Sequence, residues 1–401
     1  MKTVFSIVVL TILSMLLYTP DISAQPDFSI AGFATQNKGT TGGKGGKRVI
    51  ATSLGQLKSY AASSGPLIII VEGTISAVPG GATVSISSNK SIIGAGNTAF
   101  LKGIGLNIKS NNIIIQNIKS TLIGLSTPKN TNDGDVVSIL GSAKNIWVDH
   151  CEFFSEDPNT QKSIDKYDGL IDVKNSTGYI TFSWNYFHDH HKCGIVGSSD
   201  SDLHNERKIT FHHNYYKNVK LRIPMYRGSV GHFFNNYVVG AKDASEIRTG
   251  TCVRVEKNYY EALHYSIYTP NDYPGKAERI DNIEIARTNR PYPKDCTADI
   301  PYDYSSVLTQ KTEDVKTIVP QYAGVGKLNQ TPVFHKKTNP GSKMLRTVSL
   351  VQLYTIQGVL VFEGKDLPRN LASKGIYLRV ERNQFGKIVN KGVSVDFTQD
   401  H

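Results

Sequence analysis

The chain reads Ile-Thr-Phe-Ser-Trp-Asn at residues 180–185, Ile-Thr-Phe-His-His-Asn at 209–214 and His-Phe-Phe-Asn-Asn at 232–236. Each segment is a short run of β-branched or aromatic residues, typical of a strand, that leads to asparagine. The same pattern recurs in three other segments, which are 113–117, 146–151 and 253–258. The six segments close on the following anchors: Asn117, Cys151, Asn185, Asn214, Asn236 and Asn258.

Successive anchors lie 34, 34, 29, 22 and 22 residues apart. A shortest spacing with a variable excess is typical of a solenoid in which each repeat is one coil and some coils carry loops. No amphipathic helix separates the strands, which argues against alternating β-α units. We therefore predict an all-β fold, a right-handed parallel β-helix with strands stacked about 4.8 Å apart. The asparagines would form a ladder at a turn, which is a structural role.

Composition narrows the class of protein. The 401 residues include 45 Lys and Arg against 34 Asp and Glu, and apolar residues are plentiful enough to exclude disorder. A basic surface fits a polyanionic partner, either polysaccharide or nucleic acid, and it equally fits a general solubility bias. The four cysteines show no C-x-x-C spacing, which argues against a zinc site. Whether they pair stays open, since Cys151 replaces an interior anchor and could remain a buried thiol.

Both ends of the chain differ from the repeat region. Residues 1–24 have the layout of a secretory signal: Lys2, an apolar run over 4–18 and a small residue, Ala24. That run is too short to span a membrane comfortably, and no later stretch is suitable. The glycine-rich run near residues 39–46 lacks the spacing of a phosphate loop. After a linker at 329–345, short strands bounded by glycines predict a small C-terminal β-sandwich over 346–401.

Provided that the loop insertions precede the acidic residues, six charged residues fall at similar positions when each is counted forward from the anchor of its coil. They are Asp133, Asp135, Asp168, Asp172, Lys192 and Arg222. Similar positions in successive coils lie in one strip along a β-helix. Four carboxylates on one strip repel one another unless a cation lies among them, and Ca²⁺ accepts several oxygen ligands in a flexible geometry. The alternative is four solvated surface aspartates. The phase that they share with two basic residues favours a metal and substrate site.

Histidines beside this strip offer a second candidate. His188, His190 and His191 precede Lys192 and could hold a transition metal, but histidines on a loop are more often plain polar surface. We favour the surface interpretation, and we expect His212 and His213 either to pack against neighbouring residues or to lie on the polar surface.

Several motifs, in order along the chain, carry a resemblance to polysaccharide lyase family 1, the pectate lyases. The matching segments are 32–34, 147–150, 167–172, 183–185, 192–197, 222–227, 232–236 and 323–327. The resemblance covers about residues 29–328, which makes 25–328 the expected lyase domain. One departure is Ser229, where the family often has glycine.

The resemblance implies roles for individual residues. The calcium ligands would be Asp133, Asp135, Asp168 and Asp172, and the proton-abstracting base would be Arg222. Substrate-binding roles fall on Lys192, Arg227 and Lys174. The implied activity is calcium-dependent β-elimination on polygalacturonate, giving 4,5-unsaturated oligogalacturonates. We accordingly expect a secreted monomer that binds acidic polysaccharide and no nucleic acid.

The implied chemistry is coherent. The C5 proton of a uronate lies next to the C6 carboxylate, so its removal builds charge that calcium, Lys192 and Arg227 can stabilise. Arginine is an unusual base because it is normally protonated, so activity should rise toward alkaline pH. The alternatives are a calcium-independent pectin lyase, a hydrolase with two catalytic carboxylates and a non-catalytic adhesin, and the complete set of acidic and basic residues argues against each.

The C-terminal segment carries a resemblance of its own. Residues 353–358, 371–377 and 386–389 resemble sorting domains of the type IX secretion system of Bacteroidetes-like bacteria. This resemblance implies contact with that secretion machinery. A carbohydrate-binding module is the alternative, although neither of the two tryptophans lies in this segment.

Overall fold

The computed structural model describes residues 26–285 and 291–328, together with four strands between residues 350 and 396. The predicted signal peptide and linker lie outside the described residues. The chain divides into two compact units, Met1–Pro332 and Val333–His401.

The first unit is a parallel β-helix built from two large sheets. One sheet has eleven strands, all paired in parallel: Lys47–Ala51, Leu67–Val71, Lys90–Gly94, Ile113–Gln116, Lys144–Asp149, Gly178–Ser183, Ile209–His212, Ser229–Phe234, Thr251–Glu256, Lys276–Ile280 and Lys294–Asp295. The fold class predicted from the repeat is thus confirmed as a parallel β-helix. Its right-handed winding stays a prediction.

The other sheet has fifteen strands in two rows, which Tyr237–Ile247 joins because it pairs with both. One row contains Thr74–Ser76, Phe100–Lys102, Lys119–Thr121, Glu152–Phe154, Tyr186–Lys192, Tyr215–Leu221, Tyr237–Ile247, Tyr259–Tyr268 and Ile283–Ile285. The other, which we call the site row, contains Ala82–Ile86, Ile104–Ile108, Val137–Ile139, Ile171–Val173, Ile195–Val196 and Met225–Tyr226.

Apolar side chains at equivalent positions of successive strands fill the interior. In the eleven-stranded sheet one such stack, buried throughout, consists of Ile69, Ile92, Ile115, Val148, Phe182, Phe211, Phe233 and Val255. Alternate residues of a strand face opposite sides of a sheet, so one position per strand supplies one layer of this core. Burial of such stacked layers stabilises a solenoid, because a single coil cannot bury its own apolar face.

From the coil of Ile115 onward, each coil bends two residues after the stack position, at a residue with a left-handed backbone. The bend residues, with φ between 48° and 59°, are Asn117, His150, Trp184, His213, Asn235, Lys257 and Asp281. The asparagine ladder lies one position later, so Asn117 was assigned wrongly as a ladder member. The residue equivalent to Cys151 is Ile118, since both lie three residues beyond the aligned Ile115 and Val148. Asn117 instead donates to the carbonyls of Gly94 and Gly96.

The ladder itself is confirmed from residue 185 onward. Nδ2 of Asn185, Asn214, Asn236 and Asn258 donates to Oδ1 of the next member at 2.8–3.0 Å, and the last acceptor is Asn282. At the other end the backbone N–H of Cys151 donates to Asn185 Oδ1. Cys151 ends the ladder: it lies between the asparagine amides on one side and the apolar Ile118 on the other.

Asn214→Ala should lower the free energy of unfolding by about 3–5 kcal/mol. The fully buried amide of Asn214 donates to Phe182 O and Asn236 Oδ1 and accepts from the N–H groups of Asn185, so its loss leaves several buried polar groups unpaired. Urea denaturation would measure the change. The exposed Asn130→Ala is the control, expected to stay within about 0.5 kcal/mol of wild type. An unchanged urea midpoint for Asn214→Ala would contradict a stabilising ladder.

In the described part of the chain, two α-helices lie against the β-helix. Helix α1, Leu54–Ala62, is capped by the Ser53 hydroxyl, which accepts from the Gln56 N–H, and it buries Leu57 and Ala61 in the main core. Helix α2, Thr312–Tyr322, packs Val315 and Val319 against Tyr259. Within the described parts of the chain, neither helix combines the length and apolarity needed to cross a membrane.

The cysteines divide into one pair and two thiols. Cys252 and Cys296 form a disulfide, whereas Cys151 and Cys193 are free and buried. Two of the four cysteines therefore pair and two remain thiols, which answers the question that the sequence left open. The disulfide is consistent with an oxidising compartment.

The C-terminal unit contains a four-stranded antiparallel sheet in the order Leu360–Gly364, Leu350–Thr355, Gly375–Arg382 and Ile388–Asp396. Strands were predicted at these places from the glycine-bounded segments. The β-sandwich stays a prediction, because the described strands form one sheet.

Candidate active site

The candidate site lies on the outer surface of the site row. In Ile171–Val173 the two end residues are buried in the core, so the side chain of Asp172 points outward. Its strand pairs with Val137–Ile139 on one side, where Asp172 aligns with Ser138, and with Ile195–Val196 on the other. Asp172 therefore lies between the loop that precedes Val137–Ile139 and the loop that precedes Ile195–Val196.

Three carboxylates meet at this place. Asp135, Asp168 and Asp172 each offer an oxygen within 4.8 Å of the other two. Asp133 lies outside this group: it is exposed, in a short 3-10 turn, with φ of 58°. Gly169 permits the approach, because a Cβ there would lie 2.3 Å from Asp172 Oδ1. Three of the four predicted metal ligands thus converge.

Buried hydrogen bonds hold Asp135 in place. The Gly169 N–H donates to its Oδ1 at 2.8 Å, and the Ser138 hydroxyl donates to its Oδ2 at 2.8 Å. Burial and the nearby charge of Asp172 raise the pKa of Asp135 to about 7, although Lys174 opposes the shift. Burial also raises the pKa of Asp172, again against the effect of Lys174. A further positive charge among the three carboxylates would therefore stabilise their ionised forms.

The donor set fits a hard cation. All three side chains supply carboxylate oxygens, and Ca²⁺ prefers several oxygen ligands, whereas zinc and copper favour nitrogen or sulfur. Two of the carboxylates are buried and already oriented by hydrogen bonds. Asp135, Asp168 and Asp172 are thus the residues that could hold calcium.

Two lysines pair with these same carboxylates. Lys174 Nζ lies 2.9 Å from Asp172 Oδ2 and 3.3 Å from Asp135 Oδ2. Lys192 Nζ lies 2.8 Å from Asp165 Oδ1 and 3.0 Å from Asp168 Oδ1. Burial lowers the pKa of both lysines, but pairing with the carboxylates outweighs it and raises the pKa overall. Both remain charged, which suits contact with an acidic sugar.

Sequence reasoning missed the part played by His190. This buried histidine donates from Nε2 to the backbone carbonyl of Asp168 at 2.7 Å, and its Nδ1 lies 2.6 Å from Ser155 Oγ. Burial lowers the pKa of His190 to about 4, so the ring is neutral at ordinary pH. His190 therefore fixes the backbone that carries Asp168, which differs from the surface role we expected.

Arg222 lies one coil further along, on the turn after Tyr215–Leu221. Its backbone has a left-handed φ of 62°, and its carbonyl accepts from the Gly194 N–H. The side chain is half-buried, and its charge attracts Asp165 without a hydrogen bond or an ion pair within 4 Å among the described residues. The guanidinium is therefore free to approach a bound sugar.

Arg227 is held more firmly than Arg222. The N–H groups of Gly197 and Arg227 donate to Val173 O and Val196 O, so Lys174, Gly197 and Arg227 occupy one position in successive coils of the site row. Arg227 Nε donates to Asp200 Oδ1 at 2.8 Å and its Nη1 donates to Gly197 O at 2.9 Å. Lys174 and Arg227 thus lie along the surface that also carries Asp172.

Comparison with known proteins agrees with this geometry. A family model described as pectate lyase matches residues 4–328. A pectate trisaccharide-lyase from Bacillus licheniformis is 42% identical over 314 residues, which cover 76% of this chain and 88% of that protein.

Solved structures are similar as well. A pectate lyase from Bacillus sp. N165, crystallised with trigalacturonate, is 32% identical, with a TM-score of 0.65 over 75% of this chain and 100% of that one. Pectate lyase C from Erwinia chrysanthemi, determined with Ca²⁺, is 23% identical with a TM-score of 0.63 over 76% and 99%, a likeness of fold alone. The chain belongs to the pectate lyase family and is a polysaccharide lyase that acts on polygalacturonate.

Proposed function

We propose that this enzyme cleaves polygalacturonate by calcium-dependent β-elimination at the surface of the site row. The observation that carries the proposal is the group of Asp135, Asp168 and Asp172, with Lys174 and Lys192 paired to it. Calcium held there would neutralise part of the negative charge that grows on the C6 carboxylate of the sugar. Asp133 is proposed as a fourth ligand, since it lies only two residues before Asp135.

The chain's own residues would perform the remaining work. Lys192, Lys174 and Arg227 bind and orient uronate carboxylates, because their charges follow the same surface. Arg222 takes the C5 proton. The electron pair of the broken C5–H bond then forms the C4–C5 double bond, and the C4–O bond breaks as the glycosidic oxygen leaves with that bond's electrons and gains a proton from solvent. After the products leave, Arg222 loses the proton to solvent and is again a neutral base.

A product assay tests this reaction directly. Polygalacturonate should yield products that absorb ultraviolet light through the new double bond, whereas a hydrolase would give new reducing ends without that absorbance. Highly methyl-esterified pectin should react more slowly, since it lacks the carboxylates that the lysines bind. Chromatography of the products would show whether trimers accumulate, as the name of the Bacillus licheniformis relative indicates. Binding without cleavage would contradict the proposal and favour an adhesin.

The affinity for calcium should increase with pH through about 7. Burial and the charge of Asp172 raise the pKa of Asp135 to about 7, so below that pH a proton competes with the cation. We expect the dissociation constant to be about tenfold higher at about pH 6 than at about pH 8. Calorimetric titration with calcium at both pH values measures it, and thermal unfolding checks that the fold is intact. Equal affinities would contradict a protonated Asp135.

We also propose that the enzyme is exported. The proposal is supported by the signal-like residues 1–24 and by the Cys252–Cys296 disulfide. Residues 346–401 would form a sorting β-sandwich after the linker at 329–345. Truncation after residue 330 separates the possibilities: lost export with retained activity supports sorting, whereas lost polysaccharide affinity supports a binding module.

A further inference from the structure

Asp200 lies in a loop beside the site row and binds two arginines at once. Its Oδ1 accepts from Arg227 Nε at 2.8 Å and from Arg248 Nε at 2.7 Å. Its Oδ2 accepts from Arg248 Nη2 at 2.7 Å. No role for Asp200 follows from the motifs of the sequence, because the loop is an insertion between two coils.

The loop that carries Asp200 is itself anchored. Asp202, two residues later, accepts from the N–H groups of Ser198 and Asn175 at 2.7 and 3.1 Å. Its Oδ1 also pairs with Arg207 Nη2 at 2.7 Å, and Arg207 is fully buried. Arg207 in turn donates to the backbone carbonyl of Arg227 at 3.3 Å. The loop therefore holds Asp200 in a fixed place relative to Arg227.

The two arginines depend on Asp200 to different degrees. Arg248 has a second carboxylate, since its Nη1 lies 2.6 Å from Glu246 Oε1, and its guanidinium lies over the ring of Tyr273. Among the described residues, Asp200 is the only carboxylate paired with Arg227. Removal of the Asp200 charge would therefore release Arg227 more than Arg248.

The remaining donors of Arg227 explain why its orientation matters. Nε is taken by Asp200 and Nη1 by Gly197 O, and Nη2 makes no hydrogen bond within the described part of the chain. An arginine side chain has many rotamers, and fixing it before binding reduces the ordering that the substrate must impose. The two bonds thus hold the guanidinium in one orientation and leave Nη2 without a hydrogen bond among the described residues.

We propose that Asp200 is a positioning residue that fixes the Arg227 guanidinium for the carboxylate of a bound uronate. This inference rests on the proposed substrate contact of Arg227. Asp200 does not touch the substrate itself. Its effect should appear in KM for polygalacturonate rather than in kcat, because the proton transfer at Arg222 is left intact.

The test is steady-state kinetics of Asp200→Asn on polygalacturonate. The amide keeps the shape of the side chain and removes its charge, so KM should rise about three- to tenfold while kcat stays within about twofold. Asp200→Glu restores the charge and should recover part of the loss in KM. The matched control is Asp281→Asn, which removes an ion pair with Lys257 away from the site row and should leave KM unchanged.

A double-mutant cycle separates positioning from general structural support. In an Arg227→Ala background, Asp200→Asn should raise KM no further, because the group it orients is gone. Additive effects, or a wild-type KM for Asp200→Asn, would overturn the inference. If Arg227→Ala itself leaves KM unchanged, the proposed substrate contact of Arg227 fails and this inference fails with it. A raised KM for Arg227→Ala with a normal one for Asp200→Asn overturns the role of Asp200 alone.

Discussion

Arg222→Lys is expected to lower kcat on polygalacturonate by about 10²–10⁴-fold, with KM within about threefold of wild type. Lysine keeps a positive charge but is shorter and lacks the guanidinium nitrogens, so the base no longer reaches the C5 proton. The substitution disturbs little else, since Arg222 attracts Asp165 only through its charge, which lysine keeps, and has no hydrogen bond to the described residues. Initial rates from product absorbance measure the effect.

A control variant makes this result specific. Arg48 is exposed on the first strand, and Arg48→Lys should leave kcat unchanged. A kcat for Arg222→Lys within about tenfold of wild type would mean that another group removes the proton.

Calcium removal is expected to abolish turnover. If Asp135, Asp168 and Asp172 hold calcium as proposed, a chelator removes that positive charge, and the developing carboxylate charge of the sugar then lacks its main counterion. Added calcium should restore the full rate, and magnesium should restore little of it, because Mg²⁺ demands a more regular geometry and gives up water reluctantly. Turnover that survives chelation would show that the calcium assignment is wrong.

Asp172→Asn tests the same site without a chelator. This variant removes a buried carboxylate from the group and leaves Lys174 with Asp135 as its remaining partner, so the dissociation constant for calcium should rise at least about 10²-fold. Calorimetric titration measures it independently of activity. Asp133→Asn is the informative companion: a change of less than about threefold would exclude Asp133 as a fourth ligand. Asp281→Asn, remote from the site row, should bind calcium as wild type does.

Much of the fold could be predicted because its signals are local. A β-branched or aromatic run marks each strand, and the asparagine that follows marks the ladder, so neither depends on distant residues. The error at Asn117 has a physical cause. The bend before the ladder requires a left-handed backbone, and histidine, tryptophan, lysine and aspartate all adopt it here. No single residue type marks the bend, and asparagine also occurs there, so the sequence alone does not separate Asn117 from the asparagines of the ladder.

The site was predictable where a strand carries the residue and less so where a loop does. Asp172 lies within a strand, and its register with the neighbouring strands determines where it lies. Asp133 lies on a 3-10 turn before a strand, and counting residues from the anchor does not predict where such a turn directs the side chain. The sequence did not predict the roles of Asp165, His190 and Asp200. Asp165 and Asp200 lie on inserted loops, and His190 acts through the backbone carbonyl of Asp168.

Helix α1 has a consequence for how the molecule behaves in a concentrated solution. A solenoid of parallel strands ends in unpaired N–H and C=O groups, which are a template on which a further strand can add. Leu57 and Ala61 of α1 close the apolar interior beside the edge strand Lys47–Ala51. A side-chain plug at this end replaces the missing coil, so that the stack terminates there instead of growing by end-to-end addition of other copies into a fibre.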